Sequence, residues 1–275
     1  MQNYSILFLD IDGTILDSGN RVSAPLKGFF GKLNKEGIPV VLNSSRPPGG
    51  MLEIRKETGM LDPFISYGGS LILDGSNRLL FETGIPSERA VDLYHFIRRL
   101  DAGISVIFYV YDVWMTDSAS HPMVVEEADI TGCSPVECEL DRLPAPVVCV
   151  HKILCMGERK DLEKVAARKA TDFPDMDFAF SKFNYLEIVS SKVSKGDAVR
   201  KVCGYYNIPL EEAVACGDGM VDLSMLKEAG LGIAMGNSPE ALKLAADQVT
   251  LSNEEDGLYA ALKELPFLRT TEYQV

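Results

Sequence analysis

Residues 8–14 read FLDIDGT, which sets Asp10 and Asp12 one residue apart directly behind the apolar run Ile6–Leu9. A second acidic pair, Asp218 and Asp222, stands in ACGDGMVDLSML behind another apolar run. Both runs have the pattern of strands buried on both faces of a parallel sheet, and such sheets bind ligands outside the carboxyl ends of their strands. If both strands are central in one sheet, four carboxylates meet in one crevice. Like charges that close raise one another's pKa unless a cation or a proton intervenes. The chain has three histidines, none near either motif, and hard oxygen ligands without His or Cys point to Mg²⁺. There is no Walker-type lysine loop, so a phosphate here needs other partners. Ser44 and Ser45 in VVLNSSRP offer hydroxyls and N–H groups at a strand end, and Lys195 in SSKVSKGDAV offers an ammonium at a helix start.

The elements that must position these residues follow from periodicity. After the DGT turn, Ser23 suits an N-cap with Pro25 in the first turn, and Leu26, Phe29, Phe30 and Leu33 fall at helical spacing before Gly37. IPVVLNSS then reads as a second buried strand, and PFISYGG and SLILD as strands around a glycine turn. Between about Leu80 and Tyr185 the rhythm changes. SERAVDLYHFIRRL is helical, with Ala90, Leu93, Ile97 and Leu100 on one face. ISVIFYVYDVW and VVCVHKILCM read as strands, DLEKVAARKATDF as a helix, and residues 116–146, with Pro122, Pro135, Pro144 and Pro146, as a loop region. From Leu186 the β-α rhythm returns: SKGDAVRKVCGYY, MVDLSMLKEAG and SPEALKLAA as helices, EAVACGD, GIAMG and QVTL as strands, and a terminal helix. The expectation is an α/β fold. Its Rossmann-like parallel-sheet core, residues 1–82 and 186–275, carries helices on both faces and is split by an inserted α+β domain, residues 83–185.

Composition bounds the partners. The chain has 275 residues, 46% hydrophobic, with 27 basic against 40 acidic residues and a formal charge of −13. That balance repels a nucleic-acid backbone, so a small anion must be held by local lysine, N–H groups or a metal. Six cysteines are scattered without a C-x-x-C pair and read as reduced thiols of a cytoplasmic protein. The most apolar stretch, residues 103–114, is broken at Asp112 and is too short to span a bilayer, so no membrane is expected.

The order of these motifs carries a resemblance. D-x-D-G-T, then a strand ending in Ser, then SKG, then GDG-x-x-D resembles the haloacid dehalogenase (HAD) superfamily of phosphatases. The place of the insertion and the tail AMGNSPEALKLAADQVT…EEDGL are similar to its Cof-type sugar-phosphatase branch, which carries a large α/β cap. The resemblance implies a Mg²⁺-dependent phosphomonoesterase of small phosphorylated metabolites, above all sugar phosphates. Asp10 would be the nucleophile that forms an aspartyl-phosphate, and Asp12 the acid that protonates the leaving alcohol and then the base that activates water. Asp10, the main-chain carbonyl of Asp12, and Asp218 would ligate the metal. Ser44 and Lys195 would bind the phosphoryl group, and Asp222 would orient Lys195 or the metal's waters. Three departures stand out: the usual TGR reads SSR, Val221 replaces an Asn before the last aspartate, and Gly68-Gly69 stands where NG is usual. The resemblance assigns substrate choice to the cap, and cap closure would exclude bulk water during the first step.

Plainer readings compete at several positions. Lys192 rivals Lys195 as the site lysine, and Asp222 also suits a helix first turn. Arg46 reads either as a surface residue or as a site residue beside Ser45. Asn237 reads as a helix cap or as part of the metal's surroundings. His95, His121, His151 and Trp114 read as core or surface residues, and Met220, Met225 and Leu226 as helix packing against the sheet. A phosphomutase of the same superfamily and a non-catalytic phosphometabolite-binding protein are the alternative functions. The sequence leaves oligomeric state open.

Overall fold

The computed structural model describes residues 3–100, 103–131, 133–144 and 146–268. Residues up to Glu82 together with those from Ser194 onward form one compact unit, and Thr83–Val193 form a second.

The first unit begins with β1 (Ile6–Leu9), four residues without a polar side chain and all fully buried. α1 (Ala24–Glu36) starts where Ser23 Oγ accepts the Leu26 N–H at 3.3 Å and stops at Gly37, whose φ of 70° is left-handed. It buries Leu26, Phe29, Phe30 and Leu33 as the spacing requires. β2 (Val40–Leu42), α2 (Leu52–Thr58) and the antiparallel strands β3 (Phe64–Ser66), β4 (Leu71–Leu73) and β5 (Leu79–Glu82) follow.

The second unit opens with β6 (Ile85–Pro86), α3 (Ser87–Leu100), β7 (Ser105–Val110), β8 (Val113–Thr116), α4 (Pro122–Thr131) and β9 (Val136–Glu137). It continues with β10 (Cys149–Val150), β11 (Lys152–Met156), α5 (Arg159–Ala166), β12 (Met176–Lys182) and β13 (Tyr185–Ser190). Its six-stranded sheet has the order β12-β13-β11-β7-β8-β9. Alternate residues Val106, Phe108 and Val110 meet Leu93 and Ile97 of α3 and Leu162 and Val165 of α5 in one core. On the other face Tyr185 donates its hydroxyl to Glu127 of α4 at 2.7 Å, so a buried acid and phenol satisfy each other.

Three expectations are corrected here. ISVIFYVYDVW is a hairpin, because Tyr111 adopts φ 52° and Tyr111-Asp112 form a turn that pairs Val110 with Val113. Residues 116–146 contain α4, which buries Val124 and Glu127 but leaves Val125 and Ile130 exposed, so its apolar pattern points to no single face. The core was expected to resume at Leu186, yet β13 pairs antiparallel with β11 and β12, which places residues 186–193 in the inserted unit.

The chain returns to the first unit with α6 (Lys195–Tyr206), β14 (Ala213–Gly217), α7 (Leu223–Glu228), β15 (Leu231–Ala234), α8 (Glu240–Ala245), β16 (Gln248–Val249) and α9 (Gly257–Leu262). The central sheet is wholly parallel, in the order β16-β15-β14-β1-β2. Ile6 and Phe8 pack with Val199 and Val202 of α6 and Met225 and Leu226 of α7, while Leu7 and Leu9 face the opposite side. Helices therefore cover both faces.

His151, between β10 and β11, is fully buried with its ring edge-on to Tyr111 at 5.3 Å, and burial pushes its pKa down to about 4. The unfolded chain takes up this proton near pH 6.5 and the folded chain only near pH 4, so stability falls as pH drops through that window. His151→Gln should remove about 2 kcal/mol of the stability lost between pH 7 and pH 5. Urea unfolding at the two pH values checks this; an unchanged pH 7-to-5 difference in the variant would refute it.

Candidate active site

Because the central strands are parallel and adjacent, β1, β2 and β14 end on one edge, and the loops that follow them carry the polar residues. Leu9 pairs with Cys216 and with Leu42, so Asp10, Asn43 and Asp218 leave the sheet as neighbours. α6 begins beside them. Its N-cap Ser194 accepts the Asp197 N–H at 3.0 Å, which leaves Lys195 as the first helical residue. An ammonium at a helix N-terminus opposes the macrodipole, and Lys195 is only 3% exposed, so its charge needs strong partners.

Those partners are the aspartates. Lys195 Nζ donates to Asp10 Oδ1 and to Asp222 Oδ1, both at 2.5 Å. Asp222 is completely buried, and its other oxygen accepts the N–H groups of Asp218 at 3.1 Å and Gly219 at 2.9 Å. Asp222 thus fixes the turn that presents Asp218. Burial works against the Lys195 charge, but Asp10 and Asp222 outweigh it and hold the ammonium above its ordinary pKa. Asp10 is raised to about 7, by burial first and then by Asp222 and Asp218, with Lys195 opposing. Asp218 is raised to about 6 by burial and by Asp222.

One carboxylate oxygen from each of Asp10, Asp218 and Asp222 lies within 4.8 Å of the others. Three carboxylates against one ammonium leave a surplus of negative charge, which adds to the effect of burial in raising Asp10 and Asp218. An all-oxygen donor set with that surplus fits a hard divalent cation. Gly13 makes the approach possible: its φ is 76°, and a Cβ there would stand 2.3 Å from Asp218 Oδ2.

The other expected residues are placed as follows. Ser44 is buried, and its Oγ accepts the Arg46 N–H at 3.2 Å, while Ser45 is exposed. Arg46 grips Asp12 with two donors, Nε to Oδ2 at 2.9 Å and Nη2 to Oδ1 at 2.5 Å. A planar fork on both oxygens orients this carboxylate more firmly than a single bond. Asn237 Nδ2 donates to Asp218 Oδ2 at 3.1 Å, so it reaches the acidic cluster rather than serving only as a cap. Lys192 is exposed in the turn that ends the inserted unit, and it is Lys195 that joins the carboxylates. Met220 and Val221 are 47% and 66% exposed, so the expectation that Met220 packs against the sheet is corrected; Met225 and Leu226 do so.

The sequence pattern did not single out Asn43, and it marked Gly196 only as part of the SKG motif. Asn43 is fully buried, and its Nδ2 donates to the Lys195 carbonyl at 3.1 Å, anchoring the helix start to the β2 end. A polar residue inside an apolar strand pattern was the available signal. Gly196 lets α6 meet α7, since a Cβ there would stand 2.5 Å from the Ser224 carbonyl oxygen.

The family model of haloacid dehalogenase-like hydrolases matches residues 7–262. The chain is 27% identical to phosphatase YwpJ of Bacillus subtilis, over 94% of this chain and 99% of that one. Among solved structures, a haloacid dehalogenase-like hydrolase of Bacteroides thetaiotaomicron is 30% identical with a TM-score of 0.83, covering 95% of this chain and 99% of its own. A Thermotoga maritima protein gives a TM-score of 0.86 at 28% identity, over 98% and 99% of the two chains. With the motifs in order along a matching fold, this chain belongs to the haloacid dehalogenase-like hydrolase family, and within it to the phosphatases.

Proposed function

We propose that the protein hydrolyses phosphomonoesters of small metabolites, sugar phosphates foremost, with Mg²⁺ and through an aspartyl-phosphate on Asp10. The observation that carries this reading is the buried Asp10–Lys195–Asp222 bridge beside Asp218 at the open edge of the sheet. Asp10 and Asp218, with the main-chain carbonyl of Asp12, would hold the cation. When bound, Mg²⁺ supplies the positive charge that lets a dianionic phosphate approach a carboxylate.

The chain's own groups divide the remaining work. The Asp10 carboxylate attacks phosphorus, the bond from phosphorus to the ester oxygen breaks, and Asp12 gives that oxygen its proton. Asp12, now a carboxylate, takes a proton from the water that attacks phosphorus, which releases inorganic phosphate and regenerates Asp10. Lys195 neutralises the phosphoryl oxygens and Ser44 donates to them, while Asp222 keeps Lys195 in place. Arg46 holds both Asp12 oxygens, a state suited to the base. Substrate choice is assigned to the inserted unit, following the Cof-type resemblance.

Aryl phosphate and a panel of sugar phosphates should release inorganic phosphate with Mg²⁺ and stop doing so with a chelator. Asp10→Asn should lower kcat by about a thousandfold or more. Full activity in that variant would remove Asp10 from the role of nucleophile, and an isomer formed without free phosphate would indicate a mutase. The same cluster predicts opposite effects on stability. Asp10→Asn removes one of three crowded negative charges and should keep or raise Tm, whereas Lys195→Met strands two buried carboxylates and should cost about 3–5 kcal/mol. Thermal and urea unfolding of both variants, without added metal, checks the contrast.

A further inference from the structure

The chain leaves β15 through Met235, Gly236 and Asn237, and this loop is tied on two sides. The Met235 N–H donates to the Gly217 carbonyl at 3.1 Å, and the Gly236 N–H to the Leu251 carbonyl at 2.9 Å. The Asn237 amide then makes three bonds. Its Nδ2 donates to the Gly13 carbonyl at 2.9 Å and to Asp218 Oδ2 at 3.1 Å, and its Oδ1 accepts the Asn253 N–H at 3.1 Å. Since the Asn253 N–H can only donate, it requires the amide oxygen on its side, which turns the NH₂ toward Asp218 and Gly13. Asn253 is held in turn, its Nδ2 donating to the Leu16 carbonyl at 2.8 Å, and the Ser18 N–H donates to Glu254 Oε1 at 2.6 Å. One amide therefore joins the loop after β1, the loop after β14 and the segment before α9.

From this geometry we infer that Asn237 is a positioning residue for the divalent cation, holding Asp218 toward Asp10 and coupling cation binding to the order of residues 253–256. The inference rests on the cation-site reading above. An amide is the fitting group for this place. It can donate to one oxygen of Asp218 without adding charge, whereas a carboxylate would repel it and an ammonium would compete with the cation. The acceptor side of the same amide carries the coupling, because a change that holds Asp218 and Asn237 still also holds the Asn253 N–H. Linkage makes the effect reciprocal: a loosened 253–256 segment weakens cation binding by the factor by which the cation orders that segment.

Calorimetric titration of the full chain with MgCl₂, with no substrate present, tests this. Asn237→Ala should weaken Mg²⁺ binding by about tenfold or more, the range found when partners of metal ligands are removed. Asn253→Ala breaks the tie to Leu16 and loosens the same segment, but it keeps the backbone N–H that meets Asn237, so its Mg²⁺ affinity should fall by only about two- to threefold, well short of the Asn237→Ala loss. Equal losses in both variants would reduce Asn237 to a loop brace and overturn the inference, as would an unchanged affinity in Asn237→Ala. A second measurement needs no variant: amide exchange at Asn253 in the wild-type chain should slow about fivefold or more on adding Mg²⁺. Unchanged exchange in a chain that does bind Mg²⁺ would overturn the coupling alone. A wild-type chain that takes up no Mg²⁺ would overturn the cation-site reading and this inference with it.

Discussion

The buried Lys195 ammonium is the constraint on which the site depends. It lies at the positive end of α6 and out of water, two costs that only close anions can offset. Asp10 and Asp222 supply them, Asp10 from the end of β1 and Asp222 from the loop that leads from the adjacent strand β14 into α7. The ion bridge therefore exists only if the parallel sheet has this order. Asp222 passes the constraint onward, because its second oxygen holds the 218–219 turn that presents Asp218.

The two close approaches around this bridge explain why glycine stands at particular motif positions. Gly13 brings the loop after β1 against Asp218, and Gly196 brings the first turn of α6 against α7. A Cβ at Gly13 would displace the Asp218 carboxylate, and one at Gly196 would displace the Ser224 backbone carbonyl. The motifs are thus as much about packing distance as about chemistry. The surplus of carboxylates is an imbalance the packing leaves, and it is the feature that a divalent cation complements.

Much of the first unit was legible because its signals are local. Ser23, Pro25 and Gly37 mark the ends of α1, and the continuous apolar runs of β1 and β14 mark central parallel strands. The inserted unit was less legible for physical reasons. α4 carries apolar residues on more than one face, and the turn at Tyr111 uses a left-handed tyrosine where glycine or asparagine would have announced it. β13 reads as a strand of either unit, and only its long-range pairing with β11 and β12 decides.

The sequence by itself determined the family, the order of the motifs and the residue types available to the site, because these depend on chain-local chemistry and spacing. Which lysine enters the cluster, that Arg46 clamps Asp12, that Asn43 and Asn237 brace the loops, and that residues 186–193 leave the core were decided by the tertiary structure. The reason is the same in each case. A charge or amide here meets partners 19 to 185 residues away in sequence, and no local pattern records which of several equivalent donors the fold brings within about 3 Å.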